Sequence, residues 1–406
     1  METKPFKVRE IVKRLIDNRG RNADYYMSEK YPVIDNYMIK NELYPDLGTA
    51  TRFLSEEQFR SFLRGYVEKN DLLMTLVGGV GNVTLAPSSM CAIVQNTIGI
   101  SFDEKICDNF YAYYYFKTIQ YSICSLNRGV SQPSVNREDV LGVKVWLPSI
   151  KAQKRIVGIL ETFDRLIEIN NKRIKVLEQM AENLYKEWFV RFRFPGHESV
   201  PFENGTPKGW ERVMLNSVLS KIATGLNPRQ NFVLGEGDNY YITIKNMGDN
   251  DIFLDEKCDR VNDEAIRRIN KRSDLRQGDL LFSGIGTIGR VYLIKIPTYN
   301  WNISESVFTM RPNERINSEY LYMLLLSEDL QNYCQTSANG AAQKGIRMAD
   351  LVKYSFWLPP QKTVCDFTNC IHPILEQISL FRRMDKNLVK QRDLLLPRLM
   401  SGKLEV

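Results

Sequence analysis

The sequence predicts an α+β protein with two α/β domains and two long helices, and three repeated features lead to this prediction. The first is Trp-Leu-Pro, which occurs at residues 146–148 and 357–359 in a chain with only five tryptophans. Aligning the two copies, 211 residues apart, places Asp139 opposite Asp350 and Ile167 opposite Ile378 without a gap. A repeat of this extent indicates a duplicated structural unit.

The second repeated feature is a glycine-containing segment. The segment DLLMTLVGGVGNV begins at Asp71 and resembles DLLFSGIGTIGRV, which begins at Asp279. A linker rich in proline and glycine lies between the two halves, within WFVRFRFPGHESVPFENGTPKGW. We therefore assign a first domain to residues 1–150, a helix and linker to 151–206, a second domain to 207–361 and a second helix to 362–406.

The third repeated feature is a heptad pattern, in which seam residues recur at steps of four and three. The first helix carries the seam Ile156, Leu160, Phe163, Ile167, Asn170, Ile174, Leu177, Ala181, Leu184 and Trp188. The second helix carries the corresponding seam Phe367, Ile371, Ile374, Ile378, Phe381, Asp385, Leu388, Arg392, Leu395 and Leu399.

Such a helix could bury its apolar face on its own domain or on another subunit. Two matched seams in one chain favour packing of the two helices on each other, as an antiparallel coiled coil that separates the two domains with pseudo-two-fold symmetry. A polar seam residue costs stability but can fix the register of the helices. If Asn170 has this role, Asn170→Leu is expected to raise thermal stability.

The Trp-Leu-Pro segments mark the exit from each domain. Proline cannot donate to a strand ladder, so Pro148 and Pro359 are expected to end a strand. Proline is also favourable just before or at the first turn of a helix. Each segment is therefore predicted to join the last strand of a domain to a long helix.

Composition sets broad limits on the function. The chain has 406 residues, 43% apolar and 25% charged, which is typical of a globular protein. The net charge of +7 is compatible with an anionic partner such as nucleic acid and equally with solubility alone. Seven cysteines without C-x-x-C indicate reduced thiols in a cytoplasmic protein. The segment METKPFKVRE shows no signal-peptide pattern, and no run of ~18 apolar residues predicts a membrane span.

Catalytic and cofactor motifs are incomplete. Gly284, Gly286 and Gly289 satisfy G-x-G-x-x-G, but a dinucleotide site needs a helix to follow, and RVYLI alternates like a strand. There is no Walker motif, and the only Pro-Pro stands at the domain exit and not in an Asn/Asp-Pro-Pro-aromatic loop. His197 and His372 lack neighbours suited to zinc. We expect no catalytic residue and no metal site, although a Ser-His-Asp arrangement stays open.

Aromatic residues are dense in NFYAYYYFK, residues 109–117, which could be a platform for nucleic-acid bases. The counterpart EYLYMLLLS, residues 319–327, is aliphatic at matching places. Both segments are therefore interpreted as buried helices.

Basic side chains on expected loops are the candidates for DNA contact. Arg and Lys can read guanine edges and contact phosphates, although each alone is more often a solvated surface residue. The candidates are Arg19, Arg21, Lys40, Arg52, Arg128, Lys221, Arg229, Lys245, Arg290, Lys344 and Arg347.

Together these features resemble the specificity (S) subunit of type I restriction-modification systems. The resemblance covers the whole chain and includes the helix endings LYKEWF and LLLPRLMSGKL. It implies two target-recognition domains that read a split, asymmetric sequence in double-stranded DNA, without catalysis by this chain. It also implies two modification (methyltransferase) subunits docked on the helices, and restriction subunits that translocate DNA and cut it. S-adenosylmethionine and ATP with Mg would belong to these partners, and no cofactor to this chain.

The length of the first helix suits this function. Residues 156–188 would span roughly 50 Å as an α-helix, and B-DNA turns once in ~34 Å. Two domains held by such helices could reach major-groove segments about one turn apart, so the helix length would set the gap in the DNA target. Two alternatives remain: a protein-interaction scaffold without a DNA role, and the recognition half of a methylating nuclease.

Overall fold

Two units make up the computed structural model, which describes residues 2–20, 24–127, 133–229, 231–248, 250–340 and 344–404. The first unit comprises Met1–Asn171 and Arg382–Val406, and the second comprises Lys172–Phe381. Each unit thus combines one domain with part of both long helices, and the first unit is discontinuous in sequence. The domain boundaries assigned from sequence divide the chain into consecutive segments, and they stay a prediction. Arg21 and Arg128 lie outside the described residues.

Short strands form the first domain. A four-stranded antiparallel sheet has the order β2-β8-β5-β6, a three-stranded sheet has the order β4-β3-β7 with β3 and β7 parallel, and β1 pairs with β9. The strands are β1 Lys4–Lys7, β2 Val12–Ile16, β3 Tyr31–Ile34, β4 Phe53–Leu54, β5 Leu72–Thr75, β6 Val83–Leu85, β7 Ala92–Ile93, β8 Thr97–Phe102 and β9 Lys144–Leu147.

Helices cover the sheets of the first domain. They are α1 Val8–Ile11, α2 Glu56–Phe62, α3 Asn109–Thr118, α4 Gln120–Cys124 and α5 Arg137–Gly142, with 3-10 turns at Asn36–Met38 and Leu47–Thr49. Asp108 caps α3 by accepting hydrogen bonds from the amides of Phe110 and Tyr111. Tyr111, Tyr113 and Tyr114 are buried, so the aromatic segment is a buried helix, as predicted. The first long helix, α6, spans Ile150–Tyr185, and a π-helical turn at Lys186–Val190 follows it.

The second domain repeats this architecture. Its strands are β10 Phe202–Glu203, β11 Thr206–Pro207, β12 Glu211–Met214, β13 Leu219–Thr224, β14 Asn239–Ile242, β15 Met247–Gly248, β16 Asp251–Ile252, β17 Asp259–Val261, β18 Leu280–Ser283, β19 Val291–Leu293, β20 Trp301–Ile303, β21 Val307–Pro312 and β22 Ser355–Leu358. Its helices are α7 Asp263–Ser273, α8 Ser318–Leu326, α9 Glu328–Ser337 and α10 Met348–Leu351, and α11 at Gln361–Met400 is the second long helix. Three further 3-10 turns lie at His197–Ser199, Leu215–Val218 and Ile244–Asn246.

Matching sheet orders confirm the duplication. In the second domain the order β13-β21-β18-β19 corresponds to β2-β8-β5-β6, and β17-β14-β20 corresponds to β4-β3-β7. Both halves carry a register shift at the same place, between Val12 and Arg14 in β2 and between Leu219 and Lys221 in β13. The predicted fold class of two α/β domains with two long helices is confirmed.

The Trp-Leu-Pro segments lie where the sequence places them. Strand β9 ends at Leu147 and α6 begins at Ile150, while β22 ends at Leu358 and α11 begins at Gln361. Each strand pairs antiparallel with the first long strand of its own domain, β9 with β1 and β22 with β12. The last strand of each domain therefore leads directly into a long helix.

In the first unit the two long helices pack antiparallel. The Asn170 side-chain amide donates to Asp385 Oδ1 at 2.7 Å, and Arg392 Nη1 donates to Asp164 Oδ1 at 2.5 Å. Asp164 precedes Asn170 in α6, whereas its partner Arg392 follows Asp385 in α11. The two helices therefore run in opposite directions. Ile156 and Leu160 of α6 share the main core with Leu399 of α11.

In the second unit the pairing is also antiparallel. The Trp188 ring lies 5.6 Å from the Phe367 ring, and the Arg173 guanidinium lies 5.5 Å from the Phe381 ring. Ile174 of α6 and many residues of α11 belong to the core of this unit. Each unit therefore contains a helix pair whose inner faces complete the core of a domain.

All of the predicted seam residues are at least partly buried. Every member of the two seams is buried or half-buried, and Ile156, Leu160, Phe367, Ile371 and Leu399 are completely buried. Both the opposite helix and the core of the domain cover these side chains. The assignment of these residues to a coiled-coil seam stays a prediction.

The linker segment is packed and not free. Phe194 and Trp210 are buried, with ring centres 5.6 Å apart, and Phe189 lies 6.1 Å from Trp210. These rings extend the core of the second unit. None of the helices in the described ranges is both long and apolar enough to cross a membrane.

A buried polar network joins α3, α6 and α11 in the first unit. The Tyr114 hydroxyl donates to Asp164 Oδ2 at 2.5 Å, and Arg392 donates to the other oxygen of the same carboxylate. The Asp164 and Arg392 side chains are only 5% and 11% exposed. Breaking such a pair leaves an uncompensated buried charge, whereas replacing the whole group by apolar residues often costs little.

Arg392→Ala is therefore expected to lower the free energy of unfolding by about 3–5 kcal/mol. The apolar triple variant Tyr114→Phe/Asp164→Leu/Arg392→Leu should retain much more stability, because neither member of the buried pair is left alone. The Asp393 carboxylate, which also loses Arg392, is 51% exposed and can be solvated by water. Thermal unfolding followed by circular dichroism measures both. A triple variant less stable than Arg392→Ala would show that the network has a different energetic role.

Asn170 has a partner that the sequence does not show. One oxygen of Asp385 accepts the Asn170 amide, while its Oδ2 is buried without a hydrogen bond in the part of the chain described. Burial raises the pKa of Asp385, and the Asn170 hydrogen bond partly opposes this rise. Replacing Asn170 with leucine would remove the one donor that this carboxylate has among the described residues, so we now expect a loss of stability at neutral pH.

Asp385→Asn is expected to raise the melting temperature at pH 7, because the buried charge is removed and the Asn170 contact can be kept. The native pKa of Asp385 lies above the unfolded value, so its protonation at low pH stabilises the native state. The gain from Asp385→Asn should therefore shrink as the pH falls through the native pKa. Asp366→Asn, at an exposed position of α11, is the matched control. A gain that does not change with pH would contradict this account.

Candidate nucleic-acid interface

The aspartate of each DLL segment anchors a hairpin. Asp71 and Asp279 are almost fully buried. Asp71 accepts the Glu68 amide at 2.8 Å and Arg14 Nη2 at 2.9 Å. Asp279 accepts the Arg276 amide at 2.9 Å and Arg311 Nε at 2.7 Å. The amide contact is the same in both halves and fixes where the following strand begins. The arginine differs, because Arg14 belongs to β2 whereas Arg311 belongs to β21, the counterpart of β8.

The glycines of each segment form a tight turn between antiparallel strands. Gly81 and Gly289 have positive φ angles of 76° and 93°, a range that residues other than glycine rarely adopt. Their amides donate to Thr75 at 2.9 Å and to Ser283 at 3.0 Å. Strand β19 follows the second turn, with no helix, so the interpretation of G-x-G-x-x-G as a turn is confirmed.

In the second unit the glycine turn meets two other loops, and we call these three segments together the second loop face. They are the glycine turn 284–290, the 3-10 turn Ile244–Asn246 with Met247, and the loop 344–347. The Gly286 amide donates to the Lys344 carbonyl at 2.9 Å, and the Ile346 amide donates to the Gly284 carbonyl at 2.8 Å. The Arg290 guanidinium donates to the Met247 carbonyl.

The first unit has a matching first loop face, formed by the turn 76–82, the 3-10 turn Asn36–Met38 with Ile39, and the loop 133–135. The Gly78 amide donates to the Pro133 carbonyl at 3.2 Å, and the Val135 amide donates to Leu76 at 2.9 Å. The Asn82 side chain donates to the Ile39 carbonyl at 3.0 Å. Asn82 thus has the structural role in this face that Arg290 has in the second.

The second loop face brings three of the predicted cations together. Lys245 and Lys344 are exposed, and Arg290 is half-buried between their loops. Arg229 is exposed in the loop after β13. On the first loop face, Lys40 is exposed just after the 3-10 turn. Among the described residues, Lys40, Arg229, Lys245 and Lys344 could contact phosphates or base edges without breaking an ion pair that holds the fold.

Four other predicted cations are held in ion pairs. Arg19 pairs with Asp17 at 2.7 Å, Lys221 with Asp274 at 3.3 Å and Arg347 with Asp350 at 2.7 Å, while Arg52 pairs with Asp35. The hydrogen bond from Arg19 lowers the pKa of Asp17, and the one from Arg347 lowers the pKa of Asp350. Direct contact of these cations with DNA stays a prediction, as it does for all eleven candidates.

The sequence analysis missed Arg64 and Arg137. They line a cleft of about 530 Å³ in the first unit together with Arg19 and Asp17. Arg137 Nη1 lies 3.3 Å from Asp17 Oδ2, so this carboxylate holds two arginines. A signal for Arg137 existed, because it begins α5 directly after the loop of the first face, close to where Arg347 stands in the second half.

The chemistry of both faces suits recognition of nucleic acid. Exposed lysines can hold phosphates. The Asn82 side chain is engaged within the fold, because its amide donates to the Ile39 carbonyl and its oxygen accepts from Gln120 at 2.6 Å. In the described ranges no group of three or more His, Cys, Asp and Glu side chains could hold a metal. His197 Nδ1 lies 2.9 Å from the Phe194 carbonyl, and His372 Nδ1 lies 3.0 Å from Glu319.

Comparison with known proteins agrees with this duplicated design. The sequence profile of the type I restriction modification DNA specificity domain matches residues 2–179 and 207–379. The MjaIX specificity subunit of a type I restriction enzyme from Methanocaldococcus jannaschii is 24% identical over 94% of this chain and 88% of its own length. The MjaVIII specificity subunit from the same organism is 25% identical over 94% and 91%.

A solved structure shows the same fold. The crystal structure of a type I restriction-modification S subunit from M. genitalium superposes with a TM-score of 0.59 at 15% identity. The match covers 98% of this chain and 96% of that one. The similarity therefore includes both domains and both long helices.

Proposed function

The chain belongs to the family of type I restriction modification DNA specificity domains, and we propose that it is the non-catalytic subunit that reads a two-part, asymmetric DNA target. The observation that supports this proposal best is a pair of loop faces with one backbone design and different side chains. Such a pair can present two different readers from one chain.

The loop faces differ at matching positions. Where the first face has Tyr37 in its 3-10 turn, the second has Lys245, and where the first has Asn82, the second has Arg290. Lysine and arginine can contact phosphates or guanine edges, whereas tyrosine and asparagine carry no charge. The two faces are therefore suited to different base sequences, which gives an asymmetric target.

The long helices offer surfaces for protein partners. In the first unit Leu166, Ile169, Met384 and Leu394 are 43–58% exposed, and in the second Val176, Met180 and Leu380 are 46–60% exposed. Exposed apolar residues that recur along a helix mark docking surfaces. We assign these surfaces to two modification subunits, one for each unit, and restriction subunits complete the complex.

The division of labour follows from this assignment. The modification subunits supply S-adenosylmethionine and transfer the methyl group, and the restriction subunits supply ATP hydrolysis with Mg. This chain binds the DNA in the cytoplasm and fixes its position relative to the modification and restriction subunits. The spacing between the two parts of the target is set by the paired helices, because each helix is long enough to span more than one DNA turn.

Lys245→Ala/Lys344→Ala is expected to weaken DNA binding at all sequences, because two phosphate contacts are lost from the second loop face. The slope of log affinity against log salt should become shallower by about 2. Fluorescence anisotropy of a labelled duplex, with this chain bound to its modification subunits, measures the slope.

Lys208→Ala/Lys271→Ala is the matched control, because both lysines are exposed in the same unit but lie outside the second loop face. It removes the same charge and should change the slope much less. Equal changes in the two double variants would show that the second loop face has no special contact with DNA.

A further inference from the structure

The second unit contains an apolar groove that the proposed DNA function does not use. Helices α6, α8, α9 and α11 enclose a space of about 450 Å³. Residues from three of these helices form its floor, namely Ala181, Tyr185, Tyr322, Met323, Leu326 and Leu375. A groove of this size can hold one or two large apolar side chains.

The repeat shows why the groove exists. By the 211-residue offset, Ala181 corresponds to Arg392 and Leu375 corresponds to Asp164. The caps Asp108 and Asn317 begin α3 and α8 in the same way. Alignment of these caps makes Met323 the counterpart of Tyr114 and Leu326 the counterpart of Lys117.

In the first unit the same place is filled. Tyr114, Asp164 and Arg392 form the buried network, and Lys117 Nζ lies 3.4 Å from the Tyr113 hydroxyl. Long polar side chains bonded to one another therefore occupy this region. In the second unit, shorter and apolar side chains, Ala181 above all, leave an open groove.

The groove has an acidic rim. Among the described residues that line it, four are acidic, Glu178, Glu182, Glu328 and Asp329, and two are basic, Lys186 and Arg191. Lys186 is held between Glu182 at 2.8 Å and Glu328 at 3.2 Å, and Arg191 pairs with Glu187. The rim is thus negative, although the chain as a whole carries +7. This charge disfavours DNA and favours a basic protein segment.

We propose that this groove binds an apolar segment with basic flanks from one modification subunit, so that the two units bind their modification subunits unequally. The inference rests on the proposed function. An apolar side chain inserted between α6 and α8 would act as the buried anchor, and the carboxylates would pair with its flanks. In the first unit the Tyr114–Asp164–Arg392 network fills the matching place, so its modification subunit is held by the exposed helix surface.

Titration of this chain with its purified modification subunit, followed by calorimetry and native mass spectrometry, tests the inference. The wild-type chain should bind two copies with affinities that differ by about tenfold or more. Ala181→Leu, which fills the groove, and Asp329→Lys, which reverses an exposed rim charge, should each weaken the tighter step and leave the weaker one unchanged.

Asp366→Lys is the matched control, because it reverses an exposed carboxylate of the same unit that does not line the groove. It should leave both steps unchanged, and circular dichroism should show that Asp329→Lys folds as the wild type does. Two equal steps in the wild type, or no effect of either groove variant, would overturn the inference. A chain that binds no modification subunit would instead contradict the proposed function, and the inference with it.

Discussion

The burial of the two long helices against both domains is the constraint on which the structure depends. The last part of α11 places Leu396 and Leu399 in the core of the first domain, and the last part of α6 places Tyr185 and Trp188 in the core of the second. A domain that lacks a helix segment loses part of its buried apolar surface, which is the main source of folding free energy. The antiparallel helix pair is therefore built into each core and is more than a connection between two separate domains.

Within this shared architecture the two halves differ in chemistry. The same backbone carries Asn82 in one loop face and Arg290 in the other, and the same helix junction carries a charged network in one unit and an apolar groove in the other. The buried DLL aspartates and the glycine turns, in contrast, keep the same hydrogen bonds from backbone amides in both halves. Contacts that maintain the hairpin are thus repeated, while side chains that would face a partner have diverged, as expected for two readers of different sequences.

Much of the fold could be predicted from sequence because each feature occurs twice, so that one copy supports the interpretation of the other. Trp-Leu-Pro, the DLL segments and the heptad steps gave the domain exits, the hairpin turns and the long helices, since each depends on local sequence. The partners of Asp164 and Asn170 could not be predicted, because α11 is more than 200 residues distant in the chain and its register depends on packing. The candidate cations were only partly separable. Arg52 looks like Lys245 in sequence, but Asp35, 17 residues away, pairs with it in the folded domain. The pair of Arg347 with Asp350 is local and could have been predicted, since the two residues are three apart.

The central claim is that one chain holds two different DNA readers at a distance set by its paired helices. Mapping methylated adenines across the genome of a host that produces this chain and its modification subunit tests it most directly, with a second map after one heptad is deleted from both α6 and α11. The account predicts one asymmetric two-part sequence with a constant gap, shortened by roughly 3 base pairs in the deletion variant, since seven residues of helix rise cover about three base-pair steps. A contiguous or palindromic sequence, or a gap unchanged by the deletion, would contradict it.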